Sequence, residues 1–526
     1  MRAAPRVNPL YVIALGSLVV LAALSYTLVR EREASPAVEL TLFCAAGMRK
    51  PVERIASEYR EAYGVRVQLQ YGGSNTLLNQ IEVGKSGDLY LAADDSYTRL
   101  ARDKGLVEEE LPIALMRPVI AVQQGNPKNI RTVTDLHRSD VRVAMGNPDQ
   151  AAIGKKTRRL LGDSGHWSDV EKHTRETGVF KPTVPEVAND VKVGSVDAGI
   201  IWDAVCNQYP DLEAVRTPEL DAGASNITVG VITTSKHPTA SLRFARYLAA
   251  ADRGLRTFKA LGYEPIEGDA WADVPQLTFF AGSVNRKALE PVIKTFAARE
   301  GVEINTIYNG CGILTGQMRS IKLNAQSGFP DMYMACDVYY LDTVRDWFQD
   351  AVNVSNTDIV IVVQEGNPKN IQGLSDLARE GTRVAVGQPD QCTIGVLTRR
   401  LLEAEGVYKT LFERNNIVTE TATSALLVPT ITTGAADAAL AYTTDARAEA
   451  DKVDVVPIDS PMAKAVQPFS IARTSDYKHL GRRMFKAIAA SGDTFESAGF
   501  VWRLDTDEHR ARASSPATAP AQGERE

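Results

Sequence analysis

Two segments of this 526-residue chain occur twice. "VQQGNPKNI", ending at Ile130, returns as "VQEGNPKNI", ending at Ile371, and "GNPDQAAIGKKTRRLL" from Gly146 returns as "GQPDQCTIGVLTRRLL" from Gly387. Both pairs are displaced by about 240 residues, a constant spacing that marks a duplicated domain. That period is far above the roughly 20 to 50 residues of solenoid repeats, so each copy is large enough to hold its own core. Each copy also serves as a control on the other: positions that agree are candidates for a common task, and positions that differ show what one copy has lost or gained.

A content of 44% hydrophobic and 24% charged residues is that of globular material. The formal charge of -6 and the lack of a long basic run argue against nucleic acid as a partner, because neutralising phosphates needs a clustered positive face. The N-terminus carries a different signal. Leu10 to Val29 is uncharged over about 20 residues, the length that spans a bilayer core as a helix, and Arg2 and Arg6 precede it. An uncleaved membrane anchor is favoured over a cleaved signal, since the apolar run exceeds a usual signal core and no small-x-small site precedes Arg30. No cysteine ends the run, so a lipoprotein anchor has no attachment point. The remainder is expected on the periplasmic, extracytoplasmic face of the membrane. The expected divisions are residues 1–37 as anchor and tether, 38–272 and 273–505 as the two copies, and 506–526 as a disordered tail.

Within the first copy, "VELTLFCAA" alternates into a strand and a small-residue turn, and "RKPVERIASEYREAYG" has helical periodicity that stops at Gly64. "VRVQLQYGG", "NTLLNQIEVG", "GDLYLAAD" and "SYTRLARDKG" continue the alternation of strand and helix, which implies an α/β lobe with parallel strands and functional loops at their carboxyl ends. A second lobe begins near Arg117 with "RPVIAVQQ", and "ASLRFARYLAAADRGLRTFKALG" reads as long closing helices. Each copy is thus expected to be a clam-shell of two α/β lobes whose strand-end loops face a cleft.

The motif order "YGGSNTL", "GDLYLAAD", "QQGNPKNI", "GNPDQAAIG", "VDAGIIW", behind an opening strand with a small-residue turn, resembles the periplasmic molybdate- and tungstate-binding protein family, the substrate-binding component of ABC importers. The resemblance covers nearly all of both copies and implies tandem periplasmic-binding-protein-like clam-shells of type II, preceded by one N-terminal transmembrane helix. It implies an oxyanion ligand, ABC transporter membrane subunits as partners, attachment to the membrane through that helix, no cofactor and no catalysis. In that family a tetrahedral dianion is held by backbone N–H groups and hydroxyls of loops at helix N-termini. The first N–H groups of a helix lack internal partners and carry partial positive charge, so this is physically sound. Carried over to the first copy, the ligand-binding positions are Ala46, Gly47, Ser74, Gln150, Ala151, Ala152 and Val184, with Trp202 where the family has a tyrosine. In the second copy they are Ser283, Val284, Cys311, Gln391, Cys392, Thr393, Ser424 and Tyr442, where Cys311 replaces a serine and Tyr442 restores the tyrosine.

Several features invite a second reading. Cys311, Cys336 and Cys392 all fall on cleft-facing loops of the second copy, either as a soft-metal or thiol-reactive site or as small residues standing in for others. "GNPKN" presents Lys128 and Lys369, but Asn-Pro with flanking Gly is first of all a turn. Arg49-Lys50 and Arg286-Lys287 sit in helix first turns, where the macrodipole disfavours them and a nearby anion would offset that effect. Tyr339 and Tyr340 have the look of iron-binding proteins, and Asp88 and Asp331 suit capping of a helix or bracing of a strand end. A receptor that reports to a partner, or an enzyme-like use of the fold with phosphate, sulfate or a metal ion as ligand, are the competing classes.

Overall fold

The computed structural model describes residues 38–349 and 351–504. The Leu10 to Val29 segment and the tail after Leu504 lie outside the described residues. Among the described residues no helix is long and apolar enough to cross a membrane.

The chain divides into two compact units. Among the described residues, the first holds 38–110, 115–244 and 260–263; the second holds 111–114, 245–259, 264–349 and 351–504. In the first unit β1 (Glu39–Ala45) pairs in parallel with β2 (Arg66–Gly72) and β3 (Leu89–Ala92), followed in chain order by β4 (Val107–Met116), β5 (Pro118–Gln123), β6 (Val143–Gly146), β7 (Val179–Lys181), β8 (Ala198–Trp202), β9 (Leu212–Val215) and β10 (Ser225–Ile232). The first lobe is built on β4-β10-β3-β1-β2 and the second on β7-β6-β8-β5-β9. Neither sheet is purely parallel. β10 runs antiparallel to β3, and β5 antiparallel to both β8 and β9, because β5 and β10 are the strands by which the chain enters and leaves the second lobe.

β11 (Glu264–Pro265) pairs with β4 and closes the first copy, and the second copy repeats this order through β12 (Gln276–Gly282), β13 (Glu303–Asn309), β14 (Met332–Met334), β15 (Val352–Gln364), β16 (Val384–Gly387), β17 (Ile417–Thr421), β18 (Ala438–Tyr442), β19 (Val453–Pro457), β20 (Lys464–Ile471) and β21 (Val501–Trp502). Where the first copy breaks between β4 and β5 before Pro118, the single strand β15 runs through both lobes, so their strands join into one path, β13-β12-β14-β20-β15-β18-β16-β17. Proline lacks the N–H a continuous ladder needs, which accounts for the break in one copy and not the other.

Local chemistry repeats with the topology. The helix Arg49–Tyr63 buries Val52, Ile55, Ala56 and Tyr59, one stripe at helical spacing, and ends on Gly64 at φ 71°; its twin Arg286–Glu300 ends on Gly301 at φ 65°. Asp88 and Asp331 brace strand ends as expected, accepting the Thr41 and Thr278 N–H groups at 2.8 Å each and the hydroxyls of Ser235 and Ser475 at 2.6 Å each. The closing segment of the first copy is two helices, Pro238–Leu248 and Gly254–Ala260, and not one continuous run. Gly254 lies so close to Leu248 that an added Cβ would stand 2.3 Å from its carbonyl oxygen, so the chain turns sharply there.

In the second unit the Glu300 carboxylate is buried between two arginines. Arg483 Nε donates to Oε1 at 2.6 Å, Arg483 Nη2 and Arg246 Nη1 donate to Oε2 at 3.1 and 3.0 Å, and Arg246 also reaches the Glu300 carbonyl. Burial pushes the carboxyl pKa up, but Arg483 and Arg246 outweigh it and hold the group below its ordinary value. A depressed pKa makes this contribution complete above the ordinary carboxylate range and lost as pH falls below it. Glu300→Ala, which leaves two guanidinium groups buried without their carboxylate, is expected to destabilise the protein by about 3 to 5 kcal/mol at pH 7. Urea denaturation of wild type and variant checks this, and the difference should shrink below pH 4, as about the ordinary glutamate pKa predicts.

Candidate functional site

In each copy three helix N-termini meet at one glycine. Gly73 precedes the helix Ser74–Gly84, and an added Cβ there would come within 2.4 Å of the Gln150 carbonyl oxygen and 2.7 Å of that of Pro182, both in the second lobe. Those carbonyls lie just before the helices Ala152–Asp163 and Val184–Lys192. Gly310 plays the same part before the helix Cys311–Leu323: a Cβ would stand 2.4 Å from the Gln391 and Ala422 oxygens, next to the helix Thr393–Ala404 and the 3-10 turn Ser424–Leu426. Only glycine permits this approach, and it holds both pairs of lobes in contact. Direct bonds span each cleft: Asn75 N–H to Gln150 O at 3.1 Å and Asn75 Nδ2 to Asp149 O at 2.8 Å in the first, Ile313 N–H to Gln391 O at 3.2 Å and the Tyr340 hydroxyl to Pro389 O at 2.7 Å in the second.

None of these six N-termini has a side-chain cap, whereas the helices starting after Asp94 and Asp337 are capped by those carboxylates. Uncapped first-turn N–H groups gathered in one place form a site of positive potential without a formal charge.

The two clefts differ in what surrounds those amides. In the first, Ala46 and Gly47 form a short 3-10 turn, Ala151, Ala152 and Val184 are buried, and the fully buried Trp202 lies with its Cδ1 3.8 Å from where a Gly47 Cβ would be. Ser74 is buried, its Oγ accepting the Ala93 N–H at 3.2 Å and keeping its own hydrogen to donate. Asp203, beside Trp202, is turned away from the cleft: it accepts the Arg117 and Ala204 N–H groups and pairs with Arg216. In the second cleft, Ser283 and Ser424 place their hydroxyls 3.5 Å apart across the lobes, Val284 is buried beside them, and Cys311 and Cys392 are buried at the helix starts. The Tyr442 hydroxyl is buried with no hydrogen-bond partner, and the buried Thr393 and Tyr333 hydroxyls have none besides the Cys311 sulfur and, for Thr393, that of Cys336. An unpaired buried hydroxyl costs about 1 to 3 kcal/mol, so the Tyr442 hydroxyl is an unfavourable feature of the ligand-free fold.

Gln150 and Gln391 enter the clefts differently from the sequence expectation. Both side chains are exposed, and each backbone N–H closes a turn onto Asn147 or Gln388, so it is their carbonyls, acceptors toward the opposite lobe, that face inward. The basic pairs also have other partners: Arg49 stacks 4.1 Å from the Tyr71 ring, Arg286 4.7 Å from Tyr308, and Lys50 donates to Gln208 O. "GNPKN" is structural, with Asn126, Asn129, Asn367 and Asn370 all at φ between 45° and 48°, and Lys128 bonds to Asp140 O at 2.8 Å. Tyr340 is occupied at Pro389, and Tyr339 packs against it beneath Arg400. Residues missed from sequence are Tyr333, the fully buried Asn285, which donates to Met334 O and Ala335 O, and Asp445.

Two α/β lobes that close on a shared strand-end cleft define a solute-binding protein of the clam-shell class. The chain belongs to the family of bacterial extracellular solute-binding proteins, whose model matches residues 40–264 and again 277–501. It is 27% identical over 231 residues to a putative binding protein of Haemophilus influenzae (44% of this chain, 92% of that one). It is 28% identical over 218 residues to the molybdate-binding protein ModA of Mycobacterium tuberculosis (40% and 79%). Among solved structures, the substrate binding domain of a putative molybdenum ABC transporter from Clostridium difficile aligns with TM-score 0.35 at 22% identity, over 44% of this chain and all of that one.

Asp445 sits one helical turn beyond Tyr442 with its Oδ2 shielded and unpartnered. Burial raises its carboxyl from 3.8 to about 6, against the Ser424 hydroxyl and the Lys287 ammonium. A raised pKa means the folded protein holds this proton where the unfolded chain does not, so stability is full below the ordinary value and falls as pH climbs through about 6. Asp445→Asn is expected to stabilise the ligand-free protein by about 1 to 2 kcal/mol at pH 7 and to have little effect at pH 4, measured as melting temperature against pH.

Proposed function

We propose that this protein is an exported, membrane-tethered binding protein that captures a tetrahedral oxyanion, molybdate or tungstate, and presents it to the membrane subunits of an ABC importer. The observation that carries this reading is the second cleft, where helix N-termini without side-chain caps come from both lobes beside the buried, unpartnered hydroxyl of Tyr442 and the hydroxyl of Thr393, whose only partners are the sulfurs of Cys311 and Cys336. A desolvated dianion accepts many short hydrogen bonds and needs donors fixed in advance, which amides and neutral hydroxyls supply without inviting cationic competitors. Burial keeps the Tyr442 phenol far above its ordinary pKa, so it remains a donor at every physiological pH. The relatives named for molybdate support the choice of anion. In this reading Ser283, Val284, Cys311, Cys392, Ser424 and the Gln391 loop complete the second site. Ala46, Gly47, Ser74, the Gln150–Ala152 loop, Val184 and Trp202 form a first site with fewer hydroxyls.

Calorimetry of the whole protein against molybdate, tungstate, sulfate and phosphate tests the proposal. Molybdate or tungstate should bind most tightly. Tyr442→Phe and Thr393→Val should each weaken binding about tenfold, the worth of one hydrogen bond to a charged acceptor. Without ligand, Tyr442→Phe should leave the melting temperature unchanged or higher, because it deletes an unpaired polar group. Heat from none of the four anions would overturn the oxyanion reading.

A further inference from the structure

The second cleft carries a concerted triple change that the oxyanion reading does not use. Strand register makes Gly282 the counterpart of Ala45, Cys311 of Ser74 and Cys336 of Ala93. In the first copy the Ala93 N–H donates to Ser74 Oγ at 3.2 Å, and in the second the Cys336 N–H donates to Cys311 Sγ at 3.1 Å, so the backbone arrangement is kept. The new feature is the second sulfur: Cys336 Sγ stands 3.0 Å from Cys311 Sγ. Room for it comes from the third change. A Cβ on Gly282, the methyl that Ala45 carries, would lie 2.2 Å from Cys336 Sγ and 2.9 Å from Cys311 Sγ. Drift of small residues into cysteine explains one thiol; it does not explain two facing thiols and the methyl removed to admit them.

We propose that Cys311 and Cys336 are a reversible dithiol–disulfide site in the floor of the second cleft, absent from the first. All five cysteines are free thiols in the structure, and the sulfurs of these two stand about 1 Å beyond disulfide bond length. The oxidant is a small-molecule or protein disulfide. The Cys311 thiolate attacks one of its sulfurs and expels the other as a thiolate, giving a mixed disulfide; Cys336 Sγ then attacks Cys311 Sγ and expels the second thiol. In sum two S–H bonds of the protein give one S–S bond, and the donor disulfide leaves as two thiols carrying both electrons and both protons.

The surroundings favour Cys311 as the attacking group. Burial pushes its pKa up, but the Cys336 thiol, the Thr393 hydroxyl, the Cys336 N–H and the Tyr333 hydroxyl together hold it below the ordinary value. The hydroxyls of Thr393 and Tyr333 are free to turn toward that sulfur because neither has another partner. Cys336, in contrast, is pushed well up by its bond to Cys311 and by burial, and burial likewise raises Cys206 and Cys392 to about 11. Both paired cysteines are buried while the lobes touch through Ile313 to Gln391 and Tyr340 to Pro389, so exchange requires the lobes to part. Oxidation removes the Cys311 S–H donor from the cleft floor. Resting on the oxyanion reading, ligand that keeps the lobes together then protects the pair.

The test uses the whole protein, reduced and then exposed to oxidised glutathione or, as a smaller oxidant, diamide. Free thiols are blocked in denaturant and the digest is read by mass spectrometry. The expected result is a single Cys311–Cys336 cross-link that dithiothreitol reverses, with Cys44, Cys206 and Cys392 still blocked. Cys336→Ala, the residue of the first copy, should abolish the cross-link and leave Cys311 as a glutathione adduct. All five thiols blocked after both oxidants, or a cross-link through other cysteines, would overturn the proposal. Molybdate should slow cross-linking at least tenfold; a cross-link forming at the same rate with and without it would uphold the disulfide and count against occupancy of this cleft by molybdate.

Discussion

Everything at either cleft depends on how closely the backbone at Gly73 and Gly310 approaches the opposite lobe. Carbonyls of the second lobe pack against a residue with no side chain, and this brings three helix starts within reach of one small ligand. Positive potential from a helix end falls off within a turn, so the starts must be this near to act on a common guest. Even the Cβ of alanine at these glycines would stand 2.4 Å from a facing carbonyl oxygen, so a side chain there would push the lobes apart and loosen the bonds that now join them.

Given that shared frame, the two copies have gone separate ways in what they add to it. The first lines its amides with alanine, valine and the indole of Trp202, retaining Ser74 as its hydroxyl. The second adds Ser283, Thr393, Ser424 and Tyr442, a carboxyl at Asp445 and the thiol pair. Buried hydroxyls without partners and a carboxyl raised toward neutrality are both unfavourable in the ligand-free fold, and both are concentrated in the second copy. Stability given up in one place and not in its twin is a sign of selection for binding at that place.

The sequence disclosed the duplication, the order of elements and the glycine- and alanine-rich loops, because each depends on residues close together in the chain. The strand-end braces Asp88 and Asp331 and the turns around Asn126 and Asn367 were legible for the same reason. What stayed hidden depends on register between distant strands or on the direction a group faces. Gln150 and Gln391 sit at the right loop, but turn closure onto Asn147 and Gln388 uses their N–H groups and sends their carbonyls inward. The link between Gly282 and Cys336 exists only because β12 and β14 lie side by side. The mixed direction of the sheets follows from the chain crossing between lobes, which local alternation of strand and helix does not encode.

Fusion of two binding domains raises the effective concentration of sites only when both take the same ligand. The divergence described above weakens that explanation for this chain, since Trp202 and Tyr442 present an indole and a phenol at equivalent points of otherwise matching frames. Specificity is a difference in free energy, and exchanging a fixed hydroxyl for an indole changes which polar ligand, and whether any, completes the hydrogen bonding at that corner. A tandem protein with one hydroxyl-rich and one hydroxyl-poor cleft is better suited to dividing labour: one cleft for capture, and the other for a different guest or for a closed state that needs no guest. The cysteine pair sharpens that division, because a thiol lost from one floor by oxidation leaves the serine of the other floor untouched.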